Sequence, residues 1–349
     1  MEGGGAYNKH AKIQAGGSDI ALSYLESAVR KVSLDGDDHP VVISDYGSSE
    51  GKNSLAPMRI AIEILRSRLG PDRPIVVYHT DLPANDFKSL FELLENDPDR
   101  YSLNDAGVFP CAIGRSFYQA VLPPDHVHLG WCSYAAIWMS QVPPIRPDHI
   151  FVPRMTGAAR VAFERQAAQD WETFLSLRAT ELRSGGRLVV VVPAARDDGW
   201  SGFEAIMDHA YEVLAEMVVD GAIAADERAR MALGAFPRRR RDLLAPFQRD
   251  ERYCNLTVEC CETSELADPA WGDYERGGSK EALVNKQTGF YCSFVAPSLA
   301  SWLTRAHDAG ARRSFSERLE LGLKQRLMAD PAPINSLVGT IVFAKLGSA

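Results

Sequence analysis

Short apolar runs and amphipathic stretches alternate along the first half of the chain. Runs rich in β-branched and apolar residues predict strands at residues 41–44, 75–79 and 126–131. Between the first two strands, apolar residues recur at helical spacing over residues 54–69. Strands that alternate with helices in this way are typical of a parallel sheet with helices on both faces. We therefore predict an α/β fold, whose ligands bind at the carboxyl ends of the strands.

The sheet pattern continues to residue 193, and one of its helices carries a candidate binding face. Further elements are predicted at residues 134–141 (a short helix), 169–183 (a helix) and 187–192 (a strand). Tyr134, Ile137 and Trp138 sit at positions i, i+3 and i+4, so a helix would place them on one face. Tyr and Trp combine a large apolar ring with one polar group, which suits a pocket with a single polar point. A plain core face also explains this spacing, and the spacing by itself favours it.

Beyond residue 193 the pattern becomes mainly helical. Helices are predicted at 202–219, from about 226, at 289–307 and at 313–328, and strands at 255–260 and 336–343. We interpret residues 199–249 and 266–332 as a helical cap that covers the ligand edge of the sheet. Residues 1–198 then form the core, which residues 250–265 and 333–349 complete.

The loop after the first strand is rich in small residues and reads SDYGSSEGKNS at positions 44–54. It is not a P-loop, because only three residues separate Gly47 from Gly51 and Asn53 interrupts the required Lys-Ser pair. It is not the dinucleotide fingerprint either, because Ser49 stands where the second glycine belongs. The remaining pattern, an acidic residue followed by two spaced glycines, is typical of S-adenosylmethionine (SAM) sites. A plain strand-to-helix turn explains the loop equally well at this stage.

Two further segments follow strand ends and carry groups that suit a nucleoside. Asp81 comes directly after the second strand, where a carboxylate can accept hydrogen bonds from both hydroxyls of a ribose. It fits equally well as the cap of a helix that begins near Asn85. Ser116 and Phe117 follow Gly114 and offer a hydroxyl and a ring that can lie on a purine face. Phe117 also fits an ordinary core position.

Composition and charge narrow the range of partners. The chain has 349 residues and a formal net charge of −8, which argues against binding to nucleic acid or to an anionic membrane. No apolar run approaches the length needed to span a bilayer. Four consecutive arginines at 238–241 depart from this acidic character. We interpret them as a solvated turn or helix start, with an anion site as the alternative.

The cysteines and histidines predict neither disulfides nor a metal site. The six cysteines are scattered at positions 111, 132, 254, 260, 261 and 292 without a C-x-x-C pair, and we see no secretory segment. Reduced thiols in the cytoplasm are the expected state. His126 and His128 would share one face of a strand, but the sequence suggests no third ligand nearby. We therefore expect a cytoplasmic protein without a zinc site.

Taken together, these segments resemble the SABATH methyltransferases, the family of plant salicylate and jasmonate carboxyl methyltransferases and caffeine-pathway N-methyltransferases. The matching motifs fall in the family's order: Y-x-K-x-x-x-x-Q at 7–14, D-x-G-S-S-x-G-x-N at 45–53, D-L-P-x-N-D-F at 81–87, G-x-S-F-Y at 114–118 and S-Y-x-x-x-W-x-S-Q-V-P at 133–143. The resemblance spans nearly the whole chain. It implies a Rossmann-like class I methyltransferase sheet with a helical cap over the active site. It also implies SAM as methyl donor, S-adenosylhomocysteine as product, a homodimer and no obligatory metal.

The resemblance further implies which residues bind SAM. They are Tyr7, Asp45, Gly47, Asn53, Asp81, Leu82, Ser116, Phe117 and Ser133. Asp45 and Asn53 would bind the amino-acid end of SAM, and Asp81 would bind the ribose hydroxyls. Leu82 would lie against the nucleoside, and residues 116–117 would hold the adenine.

A second group of residues is implied to bind the methyl acceptor. They are Gln14, Tyr134, Ile137, Trp138, Met207 and Phe236. Gln14 and Trp138 would donate hydrogen bonds to a substrate carboxylate, while the others form the walls of the pocket.

Several positions depart from the family pattern and leave the substrate open. Tyr46 and Ser48 replace the Leu and Cys of the common motif, and Ile137 stands where plant members often have His. We therefore expect methyl ester formation on a small or medium apolar carboxylic acid, with aromatic and fatty acids both open. N-methylation of a heterocycle, or binding of SAM and an acid without turnover, are the alternatives. The Ala-rich and Arg-rich composition suggests a bacterial-type member.

Overall fold

The computed structural model describes residues 12–34 and 39–347, with side chains from residue 20 onward. Tyr7 lies outside the described residues. Gln14 lies in the first helix, but its side chain is outside the description. The proposed roles of both residues therefore stay predictions.

A single mixed sheet organises the described part of the chain. Its strands are β1 (Val41–Tyr46), β2 (Ile75–Asp81), β3 (Val108–Gly114), β4 (Val127–Ser133), β5 (Leu182–Ala195), β6 (Arg238–Arg239), β7 (Arg252–Tyr253), β8 (Leu256–Leu266) and β9 (Ser336–Lys345). The order is β3-β2-β1-β4-β5-β9-β8-β7, with β6 paired to β5. Strands β1 to β5 run parallel to one another. Strand β9 pairs with β5 in the antiparallel direction, and β8 pairs with β9 in the antiparallel direction. The order reverses between β1 and β4, and such a reversal opens a crevice for ligands at the carboxyl ends of the strands.

Helices cover both faces of this sheet. The described helices are α1 (Lys12–Lys31), α2 (Leu55–Leu69), α3 (Phe87–Asn96), α4 (Gly157–Glu181), α5 (Glu204–Val219), α6 (Ala225–Arg230), α7 (Arg240–Leu244), α8 (Pro269–Glu275), α9 (Lys280–Ala300) and α10 (Ala309–Ala329). Leu25 of α1 and Met58 of α2 pack in one core cluster, whereas Trp171 and Phe174 of α4 pack in another. All six residues of β1 are buried, as expected for a strand covered on both faces. The predicted α/β sheet with helices on both faces is confirmed.

The helices α5, α9 and α10 form a separate apolar cluster. Leu214 of α5, Tyr291 of α9 and Leu323 of α10 are all fully buried in it. Gly322 lets α10 approach α5 closely, because a Cβ at this position would lie 2.7 Å from a methyl carbon of Val213. Ile137, which follows β4, packs against the same cluster. The helices therefore stand over the end of the sheet where β4 finishes.

The segment 134–141, predicted as a short helix, is not helical. Tyr134 adopts a left-handed conformation with φ +60°, and its N–H donates to the carbonyl of Val191 at 2.7 Å. A helix cannot start through such a residue. Trp138 instead forms an antiparallel bridge with Ala235. The helix prediction for this segment is therefore wrong. Its residues form a turn and a bridge, so Tyr134, Ile137 and Trp138 do not share one helical face.

The arginine run at 238–241 was interpreted as a solvated turn or helix start, which is wrong for its first half. Arg238 and Arg239 form β6 beside the end of β5, and Arg238 is only 2% exposed. Its guanidinium donates to the carbonyls of Ala167 at 3.0 Å and Ala136 at 3.4 Å, and lies 5.0 Å from the ring centre of Trp171. Arg238 therefore links β6 to α4 and to the segment that follows β4.

Candidate active site

The carboxylate at the end of β1 is held by buried partners. Oδ2 of Asp45 accepts a hydrogen bond from the Ser54 hydroxyl at 2.5 Å and lies 3.0 Å from Nδ1 of His79. On its other side, Nε2 of His79 lies 2.8 Å from the Tyr101 hydroxyl. A carboxylate can only accept, so Nδ1 of His79 donates to Asp45, and Nε2 shares a second hydrogen bond with the Tyr101 hydroxyl. Asp45 is thus fixed in orientation at the edge of the crevice.

The loop after Asp45 requires glycine at two positions. Gly47 and Gly51 have φ +87° and +88°, which L side chains rarely adopt. A Cβ on Gly47 would lie 2.1 Å from the Cβ of Ala135, and one on Gly51 would lie 2.3 Å from Cδ1 of Leu90. Gly47 therefore has no room for a side chain, whereas at Gly51 the positive φ is the main reason for glycine, since the end of the Leu90 side chain could shift.

Asp81 at the end of β2 faces this loop. Its Oδ2 accepts from the backbone N–H of Ser49 at 2.8 Å, and its Oδ1 accepts from Leu82 at 2.7 Å. The helix cap is Asp86, which accepts from the Ser89 N–H at 3.0 Å, so the alternative reading of Asp81 as the cap is excluded. Burial raises the pKa of Asp81, and the two backbone hydrogen bonds oppose that rise. Leu82 beside it is 56% exposed.

The segment after β3 lies next to the glycine loop. The ring of Phe117 stands edge-on to Phe174, with 5.7 Å between ring centres, and packs 4.8 Å from the ring of Tyr118. Phe117 also lies 3.7 Å from the point that a Cβ on Gly47 would occupy. The hydroxyl of Ser116 accepts from the N–H of Tyr118 at 3.2 Å. The two segments therefore share one edge of the crevice.

A cavity at this edge opens to solvent, and the space within it, including the part filled by open solvent, is about 310 Å³. It is lined by Asp45, Gly47, Ser48, Ser49, Asn53, Ser54, Trp131, Ser133 and Tyr134. Five of these positions carried roles implied by the sequence, whereas Asp81, Leu82, Ser116 and Phe117 do not line the cavity itself. Four lining residues had no role predicted from the sequence, namely Ser48, Ser49, Ser54 and Trp131. Nor were His79 and Tyr101 predicted as the support of Asp45. His79 precedes Asp81 by two positions on one strand, so the period of a strand was the available signal.

The residues assigned to the acceptor divide between three clusters where their side chains are described. Tyr134 packs against the cluster that contains Leu25 and Met58. Ile137, Trp138 and Met207 pack in the cluster of α5, α9 and α10, where the Tyr291 hydroxyl donates to the Met207 sulfur at 3.0 Å. Phe236 packs in a third cluster, with Met139, Val142 and Met155 among its members. Its backbone N–H still donates to the carbonyl of Ile137 at 2.9 Å. Phe236 is thus joined to the segment after β4 through its backbone.

The described residues contain no group of three or more His, Cys, Asp or Glu side chains placed to hold a metal ion. Nor do they include a helix long and apolar enough to cross a membrane.

The fold and the site together define the class of protein. A carboxylate after β1, a glycine loop and a second carboxylate after β2, all at a strand-order reversal, are the arrangement of a SAM-dependent methyltransferase with a Rossmann-like sheet. A family model described as SAM-dependent carboxyl methyltransferase matches residues 1–298. The chain belongs to this family.

Comparisons with individual proteins agree with this membership. The chain is 27% identical to methyltransferase FUS9 of Gibberella fujikuroi over 330 residues, covering 93% of this chain and 88% of that protein. It is 29% identical to loganic acid O-methyltransferase of Catharanthus roseus over 215 residues, covering 55% of this chain and 56% of that protein. The fold resembles a structure of loganic acid methyltransferase with S-adenosylhomocysteine, with a TM-score of 0.80 at 21% identity over 100% of this chain and 99% of that one. These relatives lend no support to the expected bacterial type.

Proposed function

We propose that the protein transfers the methyl group of SAM to the carboxylate of a small or medium apolar acid. The observation that carries this proposal is the cavity at the strand-order reversal, where Asp45, the glycine loop and Ser133 meet. It occurs in a chain that belongs to the SAM-dependent carboxyl methyltransferase family. All the relatives are named as methyltransferases. The names of two relatives specify an acid: loganic acid O-methyltransferase and anthranilate O-methyltransferase 1 of Zea mays.

The residues of the site fit SAM. Asp45 and Asn53 line the cavity and would bind the charged amino-acid end of SAM. Because the glycines of the loop carry no side chains, this end of SAM could come close to the loop backbone. Asp81, at the end of the neighbouring strand, would accept from the ribose hydroxyls. Exposed Leu82 and the half-buried ring of Phe117 offer apolar surface for the nucleoside. Ser116 would bind the adenine beside them, and Ser133 would complete the wall.

The chemistry asks for little acid or base catalysis. When bound, SAM supplies a methyl group on a sulfonium centre, and its transfer forms an O–C bond, breaks the S–C bond and leaves S-adenosylhomocysteine. A carboxylic acid ionises near pH ~4 to 5, so the acceptor oxygen carries its negative charge at neutral pH without a general base. Because anion and cation neutralise each other during transfer, positioning and exclusion of water matter more than strong charge stabilisation.

Neutral donors suit such an acceptor. Trp138 is only partly buried, and in the described part of the chain no residue accepts from its indole N–H. The indole N–H groups of Trp171 and Trp302 are instead bonded to carbonyls, at 3.0 Å in both cases. We assign Trp138 to the substrate carboxylate, together with Gln14, and Tyr134 and Ile137 to the pocket walls. The apolar surroundings of Met207 favour an acid whose remaining skeleton is hydrocarbon.

Several wider features belong to the same proposal. Residues 1–198, 250–265 and 333–349 would form the SAM-binding core, and residues 199–249 and 266–332 the cap. The separate cluster of α5, α9 and α10 supports this division, although residues 238–244 pack on the core.

All six cysteines are free, which supports a reducing compartment such as the cytoplasm. A homodimer is proposed on the family resemblance.

The test is mass spectrometry of reactions that contain SAM and one acid each. The panel comprises benzoate-type and indole-acetate-type acids, terpenoid acids and saturated fatty acids of medium length. We expect one added methyl, released again by alkaline hydrolysis as expected for an ester, with at least one class of acid. If SAM binds by calorimetry but no acid is methylated, and a heterocyclic nitrogen compound is methylated instead, carboxyl transfer is wrong.

A further inference from the structure

A buried ion pair closes the last turn of α4. Arg178 and Glu181 are 0% and 1% exposed, respectively. Nε of Arg178 donates to Oε2 of Glu181 at 3.0 Å, and Nη2 donates to Oε1 at 2.7 Å. Removing two charges from water costs several kcal/mol per ion, so a buried pair is tolerated only when further hydrogen bonds satisfy both groups. The question is which parts of the molecule provide those bonds.

The further partners lie in the segment between β3 and β4 that begins with Phe117. Arg178 donates to the carbonyl of Phe117 through Nη1 at 2.7 Å and to that of Gln119 through Nη2 at 3.1 Å. Glu181 accepts from the N–H of Val121 at 2.7 Å and of Leu122 at 3.2 Å. This segment has no helix or strand of its own. The ion pair therefore supplies four backbone hydrogen bonds that secondary structure would otherwise supply.

A third residue joins the ion pair to the glycine loop. Tyr46, the last residue of β1, is fully buried, and its hydroxyl donates to Oε2 of Glu181 at 2.8 Å. Its ring lies 4.4 Å from the Arg178 guanidinium carbon, a cation–π contact. Burial raises the pKa of Tyr46, so its hydroxyl stays a donor. Gly47 follows Tyr46 directly, so the same cluster holds the start of the glycine loop.

We propose that Tyr46, Arg178 and Glu181 form a positioning cluster that sets the glycine loop and the Phe117 segment at the separation that SAM requires. The proposal rests on the proposed function, which assigns these two segments to opposite ends of SAM. None of the three residues lines the cavity. They act through the loops, because a loop already fixed in its binding geometry loses less entropy when the ligand binds.

The decisive variant is Y46F, which removes one hydroxyl and keeps the ring over Arg178. Titration calorimetry with SAM and with S-adenosylhomocysteine should show Kd values about three- to tenfold higher than for the wild type, because only part of the loss of one hydrogen bond to a charged group is transmitted to the two loops. Adenosine, which lacks the amino-acid end, should also bind more weakly, because the Phe117 segment is loosened. The matched control is Y291F, an equally buried tyrosine whose hydroxyl is bonded in the α5–α9–α10 cluster. It should leave the Kd for SAM unchanged.

A second variant, E181Q, removes the negative charge and replaces one carboxylate oxygen by an NH2 group, which cannot accept from Arg178, Tyr46 or the backbone. If it folds, its Kd for SAM should rise more than that of Y46F; if it does not fold, Y46F decides. A Y46F protein with a lower melting temperature but an unchanged Kd for SAM would show a purely structural cluster and overturn the proposal. D81A separates the two hypotheses. If D81A weakens SAM binding and Y46F does not, only the positioning cluster fails, whereas a wild type that binds no SAM overturns both.

Discussion

Nδ1 of His79 lies 3.0 Å from Oδ2 of Asp45, and both side chains are buried at the edge of the cavity. The two residues are 34 positions apart in the chain. They meet because they lie opposite each other on adjacent parallel strands. The contact turns a carboxylate at a strand end into one with a set orientation. Tyr101, which does not line the cavity, bonds to the other nitrogen of the imidazole and helps to hold it in place.

Replacing His79 by Leu should weaken SAM binding. The change removes a hydrogen bond to a buried carboxylate, so the Kd should rise roughly tenfold or more by calorimetry. His128 gives the matched control, since it is equally buried in β4 and accepts from the N–H of Val42 at the other end of β1. H128L should lower the melting temperature and leave the Kd for SAM unchanged. Equal Kd values for H79L and H128L would contradict the role of His79.

SAM binding should weaken on acidification through Asp81. Burial raises the pKa of Asp81 above its ordinary value of 3.8, so the carboxyl gains its proton at a higher pH than an exposed aspartate. A protonated carboxyl accepts hydrogen bonds more weakly, because it has lost its charge and one of its oxygens now carries a proton that donates. In the ligand-free protein the folded state binds the proton more tightly than the unfolded state. The contribution of Asp81 to stability therefore falls as the pH rises from 3.8 through the raised pKa.

Calorimetry with S-adenosylhomocysteine over a series of pH values checks this linkage. The wild type should lose affinity on the acidic side, whereas D81N should bind weakly at every pH with a flatter profile. An identical pH dependence in both proteins would assign the loss to another group.

G47A should abolish SAM binding through a clash with a single methyl group. The new Cβ would lie 2.1 Å from the Cβ of Ala135, in addition to the strain of φ +87°. G70A is the control for strain alone, because Gly70 has φ +76° and open space around it; it should cost roughly 1–3 kcal/mol of stability and spare binding. The double variant G47A/A135G removes the clashing methyl and should recover part of the affinity. Wild-type affinity in G47A would show that the loop does not approach SAM.

W138F should separate transfer from cofactor binding. Loss of the indole N–H removes a proposed donor to the substrate carboxylate, so kcat/KM for the acid should fall by roughly 10- to 100-fold while the Kd for SAM stays the same. W302F loses an indole N–H that is bonded to the carbonyl of Ala232. This control should keep its transfer rate. Unchanged kcat/KM in W138F would remove Trp138 from the acceptor site.

Arg238 should matter for stability in a way that its neighbours do not. R238A leaves the carbonyl of Ala167 without its donor and a void beside Trp171, so the free energy of unfolding should drop by about 2–4 kcal/mol. Arg241 is exposed, and its nearest acidic partner, Asp197, is 3.8 Å away. R241A should change stability by less than about 0.5 kcal/mol. Urea denaturation of both variants measures the difference. Equal losses of unfolding free energy would contradict a structural role that is special to Arg238.

The sequence by itself determined the sheet and the order of the motifs. The strand predicted at 41–44 is the start of β1, that at 75–79 the start of β2, and both predictions succeed because a parallel strand buried on both faces is a continuous apolar run. Asp45 and Asp81 could be placed at one edge because parallel strands end on the same side. Family membership follows from motifs that are local in the chain.

Only the tertiary structure decided the contacts between distant segments. Tyr134 was misread because its backbone N–H bonds to Val191, a partner that no local periodicity reveals. The prediction for Arg238 was wrong because a run of charged residues usually indicates an exposed segment. Here buried backbone carbonyls accept hydrogen bonds from the guanidinium, and the sequence alone does not reveal them. Tyr46 meets Glu181 across 135 positions of chain, and its role as a donor depends on that carboxylate. Local patterns record how side chains alternate along one element, whereas these hydrogen bonds depend on which elements become neighbours after folding.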